Sequence, residues 1–70
     1  MKYTFRREKA WKYEVVRQRD NKVVALLIRG DGWHIFSADS EKVIAIHIAD
    51  YLEDAKIEFQ ALAQKRRGRF

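Results

Sequence analysis

Apolar and polar positions alternate through the first half of the chain. From residue 11, Trp11, Tyr13 and Val15 alternate with Lys12, Glu14 and Val16, and Arg17 and Arg19 extend this period of two, which is typical of a half-buried strand. Residues 22–29 (KVVALLIR) are apolar on both faces and predict a central strand, and residues 33–37 (WHIFS) predict a third. Turns are expected between the strands at Asp20-Asn21 and Gly30-Asp31-Gly32, since these residue types tolerate turn dihedrals. This half of the chain therefore predicts a three-stranded antiparallel sheet.

Residues 1–9 (MKYTFRREK) precede the first strand and have no clean period. The segment fits either a basic arm or a short edge strand. Its pattern does not choose between the two.

Apolar residues recur at helical spacing through residues 40–67. The stripe runs without a break from Ile44 to Leu62, which predicts a helix with one buried face. No Pro or Gly interrupts it, and Gly68 stands where a left-handed cap favours glycine. We therefore predict an α+β fold in one small domain, with a three-stranded antiparallel sheet and one long C-terminal helix packed on it.

One alternative concerns residues 43–48 (VIAIHI), which are β-branched at four of six positions. These residues would then form a fourth strand. Asp50 and Glu53 would form a capping box that opens a shorter helix. The unbroken apolar stripe favours the long helix.

The long helix has a consequence for assembly. It would be about 42 Å long, whereas a strand of about nine residues reaches only about 30 Å. Its last turns would extend beyond the sheet and expose Ile57, Phe59 and Leu62, which we interpret as an interface. A homodimer is the expected result, unless these residues fold back on Tyr3 or Phe5.

Charge is distributed unevenly along the 70 residues, whose net charge is +5. Residues 1–30 hold nine Lys/Arg and three Asp/Glu, residues 31–60 hold two and seven, and residues 61–70 hold four and none. Basic segments at both ends favour an anionic partner, although they would also serve solubility alone. The absence of cysteine excludes disulfides and thiolate metal sites. The charged N-terminus and the short apolar runs predict a cytoplasmic protein with no membrane association.

Signs of catalysis or metal binding are weak. His47, Asp50 and Glu53 or Asp54 would share one face of a helix, but a metal site generally needs three or more converging ligands. Gly30-Asp31-Gly32 is too short for a phosphate loop and lacks its lysine. We expect no enzyme activity, no metal and no cofactor.

The cations supply the best functional candidates. Arg17 and Arg19 would point to one face of a strand, and the helix end carries four cations in six residues, more than helix capping requires. Trp11 and Trp33 are expected in the core rather than as stacking surfaces. The residues predicted to contact nucleic acid are Arg6, Arg7, Lys12, Arg17, Arg19, Lys22, Lys65, Arg66, Arg67 and Arg69.

The sequence thus predicts a small non-catalytic nucleic-acid-binding protein with an accessory or regulatory role, for DNA more than RNA. The alternative is a protein-interaction module, such as an adaptor, inhibitor or regulator. That module would act through the projecting end of the helix or through a sheet face.

Overall fold

The computed structural model describes residues 2–39 and 42–65, which form an antiparallel sheet followed by one helix. The strands pair in chain order, so the sheet is an up-and-down meander. The elements are β1 (Tyr3–Lys9), β2 (Lys12–Arg17), β3 (Lys22–Arg29), β4 (Trp33–Ser37), β5 (Val43–Ala49) and α1 (Leu52–Lys65). The α+β class is confirmed, but the described chain has five strands where three or four were predicted.

The prediction of a helix over residues 40–67 is wrong, because Val43–Ala49 is a strand. It pairs antiparallel with β4, placing Ala45 opposite Ile35 and Ala49 opposite Trp33. Without β5, the backbone of β4 would lack a ladder partner on that side, and unpaired buried backbone groups are costly. The favoured helical interpretation therefore fails, and the alternative is correct in assigning a strand to these residues.

The helix begins at Leu52, and its first backbone bond runs from the Ala55 N–H to the Tyr51 carbonyl at 2.9 Å. Asp50 is not its cap, since the Asp50 carboxylate accepts a hydrogen bond from the His47 ring instead. Glu53 and Asp54 lie in the first turn, where the helix dipole favours negative charge.

β1 resolves the open question at the N-terminus in favour of an edge strand. Tyr3 pairs with Arg17 and Phe5 with Val15, so the segment extends the sheet rather than forming an arm. The turns predicted at Asp20-Asn21 and at Gly30-Asp31-Gly32 are both present, and Asn21 adopts a left-handed φ of 55°.

The core lies between α1 and one face of the sheet. Phe59 is fully buried and meets the rings of Tyr3 and Phe5 edge-on, with centroid separations of 5.2 and 5.9 Å. Trp33 is buried beside Tyr13. The remaining buried side chains of this core are Val15, Ala25, Leu27, Ile35, Ala55 and Ala63.

These positions correct two predictions about apolar residues. Trp11 is 47% exposed, so only Trp33 is a core tryptophan. The described helix is about 21 Å long, and its apolar stripe folds back on the sheet: Phe59 is buried and Leu62 packs against the core. Ile57 alone of the three predicted interface residues is well exposed, at 64%. The predicted dimer interface on a projecting helix therefore loses its geometric basis.

Candidate nucleic-acid interface

The meander gathers cations from separate parts of the chain at one end of the sheet. In an antiparallel meander, β1, β3 and β5 begin where β2 and β4 end. Two backbone hydrogen bonds close this end, from Gln18 N–H to the Lys2 carbonyl at 3.1 Å and from Ser37 N–H to the Lys42 carbonyl at 2.8 Å. We define the basic end by its four exposed cations, Lys2, Arg19, Lys22 and Lys42.

A bidentate ion pair between Arg17 and Asp20 stabilises the β2–β3 turn at the centre of the basic end. The Arg17 guanidinium donates two hydrogen bonds to the Asp20 carboxylate, at 2.6 and 2.9 Å. This bidentate contact lowers the pKa of Asp20 from 3.8 to about 2 and raises the pKa of Arg17. The Arg17 side chain is only 13% exposed, so it stabilises the turn rather than presenting charge to a ligand.

The cations of the basic end are left without such partners. Among residues 2–39 and 42–65, none of the four forms an ion pair with a carboxylate. Asp20 lies beside Arg19 and interacts with it electrostatically, but its hydrogen bonds go to Arg17. With Arg17 included, the described residues of this end carry five cations against the two carboxylates Asp20 and Asp39. The end therefore keeps an excess of positive charge, which is the electrostatic requirement for holding phosphates.

Several predicted contact residues are instead engaged within the protein. Arg6 pairs with Glu14 at 2.7 Å, and Lys12 pairs with Glu8 at 3.3 Å.

Arg19 lies in the turn beyond the end of β2, so the expected pair of parallel arginine side chains on one strand face does not form.

The other predicted residues are dispersed. Arg7 is exposed in β1, away from the basic end. Lys65 is exposed in the last turn of α1. The helix starts after β5 and passes Tyr3, near the start of β1, where Phe59 contacts the Tyr3 ring. Arg66, Arg67 and Arg69 lie outside the described residues.

The helix-free face of the sheet is a second candidate surface; the sequence interpretation named a sheet face as a contact surface but did not identify the apolar residues of this one. It contains a shallow depression of about 280 Å³ lined by Trp11, Lys12, Leu26, Ile28 and Phe36. The Lys9 ammonium lies 5.2 Å from the Trp11 ring centroid at its margin. The signal was available, because residues 22–29 are apolar on both faces and α1 covers only one of them.

The two histidines form a hydrogen-bonded cluster next to the β3–β4 turn. The backbone N–H of His47 donates a hydrogen bond to His34 Nδ1 at 2.9 Å. Because Nδ1 accepts, the ring proton of His34 is assigned to Nε2, which lies 3.2 Å from the Asp31 carboxylate. His47 Nε2 lies 2.9 Å from Asp50. Within the described ranges, no three His, Cys, Asp or Glu side chains converge as a metal site requires. These hydrogen bonds account for the positions of both histidine side chains.

Compared with known proteins, the chain matches no family model, no curated protein and no solved structure. In the described part of the chain, no helix combines the length and apolar character that a membrane span requires. Function must therefore be inferred from the basic end, the helix-free face and the strand edges.

Proposed function

We propose that this protein is a small non-catalytic nucleic-acid-binding protein, for DNA before RNA, that holds the phosphate backbone with its basic end. The observation that supports this most is that the sheet topology brings Lys2, Arg19, Lys22 and Lys42 to one end, where none of them forms a salt bridge with a carboxylate of the described chain. An accessory or regulatory role is consistent with contacts that position a protein on nucleic acid without reading bases.

The electrostatics of the molecule supports a directed approach to a polyanion. The basic end lies at one end of the sheet, whereas at the opposite end the exposed cations Lys9 and Arg29 are outnumbered by Asp31, Asp50, Glu53 and Asp54. Such a separation of charge orients the protein before contact. Release of counterions on phosphate contact then supplies the binding free energy, about 0.9 units of salt slope for each phosphate neutralised on duplex DNA.

The experiment is a salt titration of binding to a fluorescent duplex, followed by anisotropy. The double variant Arg19→Ala/Lys22→Ala should lower the steepness of log K against log salt by about one to two units. The matched control is Arg6→Ala/Lys12→Ala, which removes the same charge from cations that already face Glu14 and Glu8. Its slope should change less.

Two results would contradict the proposal. If both double variants change the slope equally, net charge rather than the basic end governs binding. If the native protein shows no binding at about 50 mM salt, where phosphate contacts are only moderately screened, there is no phosphate-binding surface. Parallel titrations with single-stranded DNA and RNA test the preference for duplex DNA.

A second candidate function, a protein-interaction module, is favoured by the helix-free face. The depression there exposes aromatic and aliphatic side chains beside the ion pairs of Arg6 and Lys12, an arrangement common at protein interfaces. Under this alternative, Trp11→Ala/Phe36→Ala would abolish binding of an isolated partner protein and leave the salt slope on DNA unchanged. Loss of the salt slope in that variant would count against it.

A further inference from the structure

β5 is an edge strand, because the described sheet gives it β4 as its only strand neighbour. An edge strand presents unpaired backbone groups and is a potential site of association. We propose that two copies of this chain associate antiparallel along their β5 edges, with each Lys42 facing Asp50 of the partner subunit, so that in the dimer Lys2, Arg19 and Lys22 remain as the cations of the basic end without a carboxylate partner.

The two edges of the sheet differ in how they are protected. β1, the other edge, exposes four consecutive charged residues, Arg6, Arg7, Glu8 and Lys9, which discourage strand pairing. β5 contains no Asp, Glu, Lys or Arg from Val43 to Ala49. Bringing two β5 edges together therefore buries no charge from within the strands.

The exposed apolar side chains concentrate at the same edge. In the part of the chain that the structure describes, five large apolar residues are exposed, and Val43 (53%), Ile46 (68%) and Tyr51 lie in β5 or two residues after it. The other two, Trp11 and Ile57, lie on other elements. Burying exposed apolar groups between copies stabilises association by roughly 25 cal/mol for each Å².

Charge at the ends of β5 makes a second copy the best-matched partner and fixes its direction. Lys42 precedes the strand and Asp50 follows it, and both are exposed. An antiparallel pair related by a two-fold axis places Lys42 near Asp50 of the partner subunit twice, with the two Ile46 side chains at the axis. A parallel pair would place like charges together at both ends.

Two bulges limit the backbone contribution to this contact. The register with β4 shifts on both sides of Ile35, and His47 adopts a φ of 50°. Bulges interrupt a hydrogen-bond ladder and redirect side chains, which accounts for the exposure of Ile46. The dimer is therefore held chiefly by apolar side chains and the two charge pairs, and it should form at high protein concentration.

Sedimentation equilibrium without nucleic acid tests the association independently of DNA binding. The native mass should rise from 8.4 kDa toward twice that value with increasing concentration. Ile46→Lys should remain monomeric, whereas the control Ile57→Lys, at an equally exposed residue of α1, should still dimerise. Circular dichroism verifies that both variants fold. A native protein that stays monomeric up to millimolar concentration, or a dimer lost in Ile57→Lys and kept in Ile46→Lys, overturns the proposal.

A mixing experiment tests the antiparallel direction. Lys42→Asp and Asp50→Lys each place like charges against each other, so each variant alone should dimerise at least several-fold more weakly than the native protein. A 1:1 mixture restores opposite charges at both ends and should recover the native association. Failure of the mixture to exceed either variant alone contradicts the proposed register.

Discussion

Replacing Phe59 with alanine tests the placement of the helix on the sheet most directly. The side chain is fully buried, and it meets Tyr3 at 5.2 Å and Phe5 at 5.9 Å, both edge-on. Truncation removes the ring from the centre of the helix–sheet contact. It also leaves the two β1 rings without their aromatic partner.

The expected loss is large for a domain of this size. A buried Phe→Ala change typically costs about 3–5 kcal/mol through lost transfer free energy and the cavity that remains. Each edge-to-face ring pair ordinarily contributes about 0.5–1.5 kcal/mol of such a total. At about 0.05–0.15 kcal/mol per residue, 70 residues have a total stability of about 4–10 kcal/mol. Phe59→Ala should therefore remove between a third and all of the free energy of unfolding.

The assay is urea unfolding followed by far-ultraviolet circular dichroism and by tryptophan fluorescence, to which buried Trp33 contributes. Ile57→Ala is the matched control, because Ile57 lies two residues earlier in α1 and is mostly exposed. Its free energy of unfolding should change by no more than about 0.5 kcal/mol. Phe59→Leu keeps most of the volume, loses the ring pairs, and should fall between the two.

The reasoning fails if Phe59→Ala and Ile57→Ala lose similar small amounts of stability. It fails equally if Phe59→Ala folds normally and only its self-association is lost. Either result would mean that Phe59 faces solvent or a partner, as the long-helix interpretation of the sequence required.

Three further predictions concern the turns and the histidine cluster. Because Arg17 lowers the pKa of Asp20, the stabilisation from their contact is complete above pH 3.8 and is lost as the pH falls toward about 2. In Asp20→Asn, which cannot titrate at this position, the free energy of unfolding should depend less on pH in that interval, and an unchanged dependence contradicts this. His34→Phe removes the acceptor of the His47 N–H and should lower the free energy of unfolding by about 1–3 kcal/mol. His34→Asn, which keeps an acceptor near Nδ1, should lose less; equal losses measured by urea unfolding argue against the hydrogen bond. Gly32→Ala places a methyl group 3.2 Å from the His47 ring at a φ of 146° and should cost about 1–3 kcal/mol; an unchanged melting temperature would contradict the strain.

The basic end is harder to derive from sequence than the elements that carry it. Arg19 and Lys22 flank the predicted Asp20-Asn21 turn, but nothing in the spacing of Lys2 and Lys42 predicts that they lie at the same end of the sheet as that turn. Only the pairing of five strands in chain order brings them together. The pairing of β1 with β2 also places Arg6 beside Glu14 and Lys12 beside Glu8, on the helix-free face or at its margin. The charges of Arg6 and Lys12 are therefore already compensated within the protein.

The sequence by itself determined the α+β class, the strands within residues 12–37 and the two turns between them. These features depend on neighbouring residues: side chains alternate across a strand, and Asp20-Asn21 and Gly30-Asp31-Gly32 tolerate turn dihedrals locally. No partner from elsewhere in the chain is needed to specify them.

Only the tertiary structure decided that residues 43–49 form a strand and that Phe59 is buried in the core. The sequence VIAIHIA fits a helical stripe and a strand about equally well, and the choice depends on whether a neighbouring strand edge needs a partner. The open side of β4 provides that edge. With β5 in the sheet, the shortened helix turns Phe59 onto the rings of β1 instead of projecting it beyond the sheet. Burial and strand pairing between distant segments, which no local pattern encodes, therefore settled where the helix begins and which face it hides.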